Sequence, residues 1–147
     1  MNRFGFIYIG VFFILISLFS FLHIIYSYYF NLYLNIDTYI YLLIISLFSG
    51  VALFFKKKGE KKITIYEKIL IILLGYLTIP LLISIPYFLS IYNISFLDCY
   101  FEAISGFTST GFSIFNNIKH LDESIILWRS TSQWIGGIYF LFSIILL

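Results

Sequence analysis

One stretch of this sequence combines small and hydroxyl-bearing residues in a way that suits ion binding, FTSTGFS at residues 107–113. Backbone carbonyl and hydroxyl oxygens are the groups that replace the water around a dehydrated cation. Gly111 can adopt backbone angles that are closed to other residues, so that its carbonyl can turn toward such an ion. The stretch therefore predicts a cation-binding loop formed by Thr108, Ser109, Thr110, Gly111 and Phe112. The alternative is an ordinary polar turn between two helices.

The segment before this loop predicts a short helix that enters the membrane and returns. Residues 94–107 are too apolar for a solvated loop, and at 14 residues they fall short of the roughly 20 needed to cross a bilayer. Ser95 can cap this helix together with Asp98, and Gly106 is expected to end it. The negative end of the helix dipole then points at the loop.

Long apolar segments surround this unit. Residues 4–36, 38–55, 69–97 and 130–147 contain no Asp, Glu, Lys or Arg. Each segment is a candidate span, and a composition of 61% hydrophobic and 11% charged residues excludes a water-soluble fold. Pro80 and Pro86 predict a kink or an early exit in the third segment. We therefore expect an all-α integral membrane protein. Two transmembrane helices come first, and they are followed by a unit made of a helix, a re-entrant pore helix, a filter loop and a second helix.

The lysines predict how the chain is oriented. Lysines at 56, 57, 58, 61, 62 and 68 lie between the second and third spans. The positive-inside rule makes this connection cytoplasmic, which places the N-terminus with Arg3 inside and residues 116–123 outside. The net charge of +2 gives no reason to invoke a nucleic acid. Cys99 is the only cysteine, which excludes an internal disulfide.

Glu102 lies in the apolar segment of the predicted pore helix, where an ionisable side chain is costly and usually paired. Arg129 is its natural partner and would join the pore helix to the last span. The alternative is that Arg129 extends to the outer interface by itself.

Catalysis and a purely structural role are the competing functions. His120 and Asp122 lie beside Glu123, but no recognised spacing links them as nucleophile, base and orienting group. The sequence therefore favours transport over catalysis. A membrane assembly or lipid-contacting protein without a pore remains an alternative, because a single unit cannot enclose a pore. The Gly136-Gly137 pair indicates close approach of two helices.

Two motifs in the expected order carry a family resemblance. The sequence FEAISGFTSTG at residues 101–111, followed by LWRS at 127–130 and QWIGG at 133–137, resembles the first repeat of the TrkH/KtrB family of potassium uptake transporters. The resemblance implies that Ser109, Thr110 and Gly111 form the selectivity filter strand, which binds the transported ion K⁺. It implies no cofactor. It also implies an outer helix over 65–91, a pore helix over 95–105 and an inner helix over 127–147.

The same resemblance implies a domain division and a setting. Residues 1–60 would form two leading transmembrane helices and the start of the basic loop, and 61–147 the first pore repeat. Expected partners are membrane lipids, the remaining pore repeats or other copies of the chain, and a cytosolic nucleotide-binding regulatory subunit. The expected location is a bacterial or archaeal cell (inner) membrane, which the chain crosses several times.

The sequence departs from the family pattern at three points. Ser109 stands where threonine is common, and Tyr139 stands where a third small residue often follows the glycine pair. The family places four repeats in one chain, whereas the filter pattern occurs once here. We therefore expect a fragment or a truncated product of a longer chain; a homo-oligomeric cation channel is the alternative.

Overall fold

The structure, a computed structural model, describes residues 5–55 and 64–147. The described chain forms six α-helices and two single 3₁₀ turns, and it contains no strand. The helices are α1 (Gly5–Tyr29), α2 (Ile36–Phe54), α3 (Ile65–Ile83), α4 (Ile85–Phe88), α5 (Phe96–Phe107) and α6 (Glu123–Leu146), and the turns are Tyr33–Asn35 and Ile118–His120. Arg3 and the lysines at 56–62, on which the predicted orientation depends, lie outside the described residues.

Among the described residues, three segments are long and apolar enough to cross a membrane: Phe6–Tyr29, Tyr33–Phe54 and Ile65–Phe88. They correspond to the first three predicted spans. α6 has 24 residues, which at 1.5 Å per residue is also sufficient to cross the hydrocarbon core. The predicted all-α membrane architecture is therefore confirmed, and the chain is a multi-pass membrane protein.

The third span is interrupted between its two prolines. α3 begins at a capping box, in which the Glu67 amide donates to Thr64 Oγ1 and the Thr64 amide donates to the Glu67 carboxylate. The helix continues through Pro80 and ends at Ser84. Pro86 then lies in the first turn of α4, where its missing amide hydrogen leaves no helical hydrogen bond unmade. The interruption between α3 and α4 therefore accommodates Pro86 without the loss of a helical hydrogen bond.

The two leading helices form a hairpin that packs against the rest of the bundle. α1 and α2 approach closely where Gly10 faces Gly50, since a Cβ on Gly10 would lie 3.1 Å from the Gly50 carbonyl oxygen. The His23 ring on α1 packs edge-on against Trp128 of α6 at 5.0 Å between ring centres. Phe12 packs edge-on against Tyr139 at 4.8 Å. The hairpin thus contacts the helix that follows the loop.

Three connections meet at one end of the bundle. Asn35, at the turn between α1 and α2, donates from Nδ2 to Asp122 Oδ2 at 2.9 Å. Its Oδ1 accepts from the Ile91 amide, just after α4, at 3.4 Å. Asn35 is buried, with 1% of its surface exposed. The turn at 31–35 and the connection before α6 therefore lie at the same end, as the alternation of spans predicts.

α6 begins earlier than expected. The sequence predicted its start at 127–128, whereas the helix begins at Glu123 after Asp122. Trp128 is fully buried and donates from Nε1 to the Ile83 carbonyl at 3.0 Å. The predicted start was wrong because residues 123–126 already form the first turn of α6, which places Trp128 inside the second turn.

Candidate ion-binding site

α5 presents the loop and is fixed at its beginning by Ser95. The Ser95 hydroxyl accepts a hydrogen bond from the Asp98 amide at 3.3 Å and donates to Asp98 Oδ2 at 2.7 Å. The predicted cap is therefore confirmed. Asp98 also places a negative charge at the positive end of the helix dipole.

The end of α5 differs from the prediction. Gly106 was expected to stop the helix, but the helix continues through Phe107 and the left-handed residue is Ser109, with φ of 56°. The Ser109 amide donates to the Gly106 carbonyl at 2.9 Å, and the Thr110 amide donates to the Ser105 carbonyl at 3.0 Å. This pair of bonds is the Schellman motif that ends many helices.

Gly106 has a packing role instead. A Cβ at this position would lie 2.2 Å from the Ser132 Oγ of α6. The glycine therefore allows the pore helix and the inner helix to touch. A glycine near a helix end suits either role, and the sequence alone does not distinguish them.

The loop backbone has a positive φ at two positions. Gly111 has φ of 79°, and no atom lies within 4 Å of the position that its Cβ would occupy. The predicted use of glycine for a left-handed conformation is confirmed. Ser109 adopts φ of 56°, a region that β-branched residues avoid more strongly than serine does. Serine in place of the family's usual threonine is therefore not a neutral change in this conformation.

Four successive loop carbonyls are free. Within residues 5–55 and 64–147, no hydrogen bond is made to the carbonyl oxygens of Thr108, Ser109, Thr110 or Gly111. All four residues are exposed at the surface of the chain. The Phe112 carbonyl differs, because it accepts a hydrogen bond from Ser105 Oγ at 2.6 Å.

The threonine hydroxyls of the loop face α5. Thr108 Oγ1 donates to the Ile104 carbonyl at 2.8 Å, and Thr110 Oγ1 lies 3.1 Å from the Ser105 carbonyl oxygen. The backbone carbonyls are therefore the groups of the loop best placed to bind an ion. Oxygen ligands without side-chain charge suit a large monovalent cation.

Glu102 connects three parts of the site. The structure pairs it with Arg129 of α6, with 2.5 Å between Arg129 Nε and Glu102 Oε1, and leaves 1% of the Glu102 side chain exposed. The same carboxylate accepts from the Ser113 hydroxyl at 3.1 Å and from the Ile114 amide at 2.9 Å. Glu102 therefore anchors the segment that leaves the loop to both helices. Sequence reasoning missed Ser113 and Ile114, for which no local pattern exists.

Comparisons with known proteins identify the family. No protein-family model matches the chain. An uncharacterized cation transporter of Methanocaldococcus jannaschii is 33% identical over 110 residues, which cover 74% of this chain and 23% of the relative. Trk system potassium uptake proteins of Halomonas elongata (TrkI) and Escherichia coli (TrkH) are 37% and 32% identical over 65 and 83 residues. These matches cover 44% and 56% of this chain.

This chain belongs to the TrkH/KtrB family. It spans only part of its relatives, since the matches cover 23%, 13% and 17% of the three proteins.

In this TrkH/KtrB chain, the glycine pair of α6 is asymmetric. A Cβ on Gly136 would lie 1.7 Å from the Phe107 carbonyl oxygen, whereas a Cβ on Gly137 would have no atom within 4 Å. The predicted close approach is thus located at Gly136 alone. It brings the inner helix against the C-terminal end of the pore helix.

Tyr139, which stands where the family often has a third small residue, packs against α3. Its ring lies over Gly75 of α3, where an added Cβ would be 1.8 Å from the tyrosine oxygen. The hydroxyl donates to the Ile72 carbonyl at 2.9 Å. The notch left by Gly75 therefore accommodates the large side chain that replaces a small one.

The open face of the loop borders a groove. A cavity of about 350 Å³ lies beside Thr108 and Ser109 and reaches Gly137 and Phe140 of α6. The part of the chain that the structure describes contains no group of three or more His, Cys, Asp or Glu side chains arranged to hold a metal ion. The groove is therefore lined by backbone, hydroxyl and apolar groups.

The remaining candidates are structural. Asp122, considered as a catalytic group, accepts hydrogen bonds from Asn35 and from the Ser124 hydroxyl. His23 is buried, with Nδ1 2.9 Å from the Phe19 carbonyl oxygen and Nε2 3.4 Å from Thr131 Oγ1. Both side chains are engaged in holding helices together.

Proposed function

We propose that this chain forms one wall of a potassium-conducting pore, in which the loop at 108–111 supplies ligands for dehydrated K⁺. The relatives named as potassium uptake proteins support this substrate, and the named cation transporter supports the broader class. Transport needs no nucleophile, base or cofactor from this chain.

The observation that carries the proposal concerns residues 108–111, which are exposed and whose four carbonyls accept no hydrogen bond within the part of the chain that the structure describes. Irregular backbone at membrane depth is tolerated only where it is buried in protein or lines a water-filled cavity, because an unpaired carbonyl in lipid costs several kcal/mol. An ion pathway satisfies these groups, since K⁺ accepts carbonyl oxygens in place of its water shell. α5 adds the negative end of its dipole at the same point.

The proposal requires further pore walls. The exposed loop and its groove face away from the buried core of this chain, so one repeat leaves the ion pathway open on that side. The remaining repeats of a longer chain, or other copies of this one, would close it. We place residues 1–60 in the leading hairpin and 61–147 in the pore repeat.

The setting follows from the charge pattern and the family. The lysines between 56 and 68 support a cytoplasmic connection and a cytoplasmic N-terminus, in the cell (inner) membrane of a bacterium or archaeon. A cytosolic nucleotide-binding regulatory subunit is the partner that the family resemblance suggests.

The test uses a chimera in which this segment replaces its counterpart in TrkH of Escherichia coli, in a host without its own potassium uptake. The unmodified chimera should take up K⁺ in preference to Na⁺. Gly111→Ser should lower the K⁺/Na⁺ uptake ratio about tenfold, which corresponds to about 1.4 kcal/mol, because a side chain disfavours the left-handed backbone at 111.

Ser46→Ala is the control. Ser46 is buried in α2, and its hydroxyl donates to the Leu42 carbonyl within its own helix. The control should retain the uptake ratio at the same amount of protein in the membrane. An inactive unmodified chimera, or an unchanged ratio in Gly111→Ser, would contradict the proposed function.

A further inference from the structure

Ser105 lies in the last turn of α5 and holds both arms of the loop. Its hydroxyl donates to the Phe112 carbonyl at 2.6 Å and lies 3.2 Å from Thr110 Oγ1. Its own carbonyl oxygen accepts from the Thr110 amide at 3.0 Å. Ser105 is buried, with 3% of its surface exposed. One small side chain therefore touches the middle and the end of the loop.

The Ser105 hydroxyl makes the Phe112 carbonyl different from the four carbonyls that precede it, because it donates a hydrogen bond to the Phe112 carbonyl. A donor–acceptor distance of 2.6 Å between Ser105 Oγ and the Phe112 oxygen is within the normal range for an O–H···O bond. This bond directs the Phe112 carbonyl toward α5. The carbonyls at 108–111 have no such partner within the described chain.

We infer that Ser105 is a positioning residue that ends the ion-binding run at Gly111 by holding the Phe112 carbonyl away from the ion pathway. This inference rests on the proposed function. It assigns the ligands of this repeat to the carbonyls at 108–111 and removes Phe112, which the sequence had included. Selectivity depends on the number of coordinating carbonyls and on their field strength, so the residue that limits this number also affects discrimination between ions.

Loss of the hydrogen bond between Ser105 and Phe112 should have a local effect, because Glu102 holds the residues that follow the loop. Glu102, one turn before Ser105, accepts from the Ser113 hydroxyl and the Ile114 amide. Loss of the Ser105 hydroxyl therefore releases the Phe112 carbonyl while the following residues remain attached. The Schellman bond from the Thr110 amide uses the Ser105 backbone and survives a change of the side chain.

The experiment measures the K⁺/Na⁺ uptake ratio of the same chimera with Ser105→Ala. We expect the ratio to fall about fivefold, the loss that corresponds to one neutral hydrogen bond of about 1 kcal/mol. Ser105→Thr keeps the hydroxyl and should retain most of the ratio. Ser46→Ala is the control, because Ser46 is also buried but donates to Leu42 within its own helix at 2.7 Å.

The outcomes separate this inference from the proposed function. An unchanged ratio in Ser105→Ala, with a lowered ratio in Gly111→Ser, overturns the role of Ser105 alone. Unchanged ratios in both variants reject the loop as the filter. Equal losses of K⁺ and Na⁺ uptake in Ser105→Ala indicate a purely structural role and also overturn the inference.

If Ser105→Ala folds poorly, a second variant provides the test. Ser105→Cys has nearly the same shape, and its thiol is a weaker donor than a hydroxyl. Its uptake ratio should lie between those of the alanine variant and the unmodified chimera. A folded cysteine variant with the unmodified ratio would reject the positioning role.

Discussion

Removal of the Glu102 carboxylate should destabilise the protein more than removal of its charge. Glu102 is 1% exposed and Arg129 is 15% exposed, so both ions are largely withdrawn from water. Glu102→Ala leaves the Arg129 guanidinium without its partner, together with the Ser113 hydroxyl and the Ile114 amide. Glu102→Gln keeps an oxygen that can accept from one of these donors.

The expected magnitudes follow from the number of donors left unpaired. Breaking a buried ion pair from one side costs about 3–5 kcal/mol of unfolding free energy, and the partial exposure of Arg129 favours the lower end for Glu102→Ala. Glu102→Gln exchanges hydrogen bonds to a charged group for neutral ones and should cost about 1–2 kcal/mol. The double variant Glu102→Ala/Arg129→Ala should be more stable than the sum of the single losses predicts, since no unpaired ion remains.

The assay is thermal unfolding of the detergent-solubilised protein, followed by the fraction that stays monodisperse on size exclusion. Glu123→Ala is the control, because Glu123 is exposed in the first turn of α6 and should change the stability by less than about 1 kcal/mol. Equal losses for Glu102→Ala and Glu102→Gln, together with additive losses in the double variant, would refute the assignment of Glu102 as a three-way anchor.

Two further predictions concern helix packing and orientation. Gly136→Ala should lower the unfolding free energy by at least about 2 kcal/mol, because its Cβ would strike the Phe107 carbonyl, whereas Gly137→Ala should be neutral or slightly stabilising in the same thermal assay. A cysteine introduced at position 60 should react with a membrane-impermeant thiol reagent only after the cytoplasmic side is opened, and labelling from outside intact cells would reverse the orientation. Native Cys99 should not react in that experiment, since its side chain is buried.

The sequence was sufficient for the helices because lipid imposes a simple condition. A span needs roughly 20 residues without unpaired charge, and the charge-free segments meet it wherever α1, α2 and α3 occur. Ser95 and Asp98 likewise predicted the start of α5, because a cap depends on residues three apart in the chain.

Features that depend on tertiary contacts were not predictable. Gly106 fits either a helix stop or a packing contact, and only the position of Ser132 decides between them. Trp128 donates to the Ile83 carbonyl of another helix, a contact that the sequence does not show. The hydrogen bond from Ser105 to Phe112 joins residues seven apart across an irregular loop, for which no periodic pattern exists.

Diffraction from crystals of the chimera grown with thallium, a potassium substitute with strong anomalous scattering, tests the central claim most directly. The account predicts anomalous density bounded by the carbonyls of residues 108–111, with the Phe112 carbonyl still bonded to Ser105. Anomalous density elsewhere in the pore with none against the loop would contradict it.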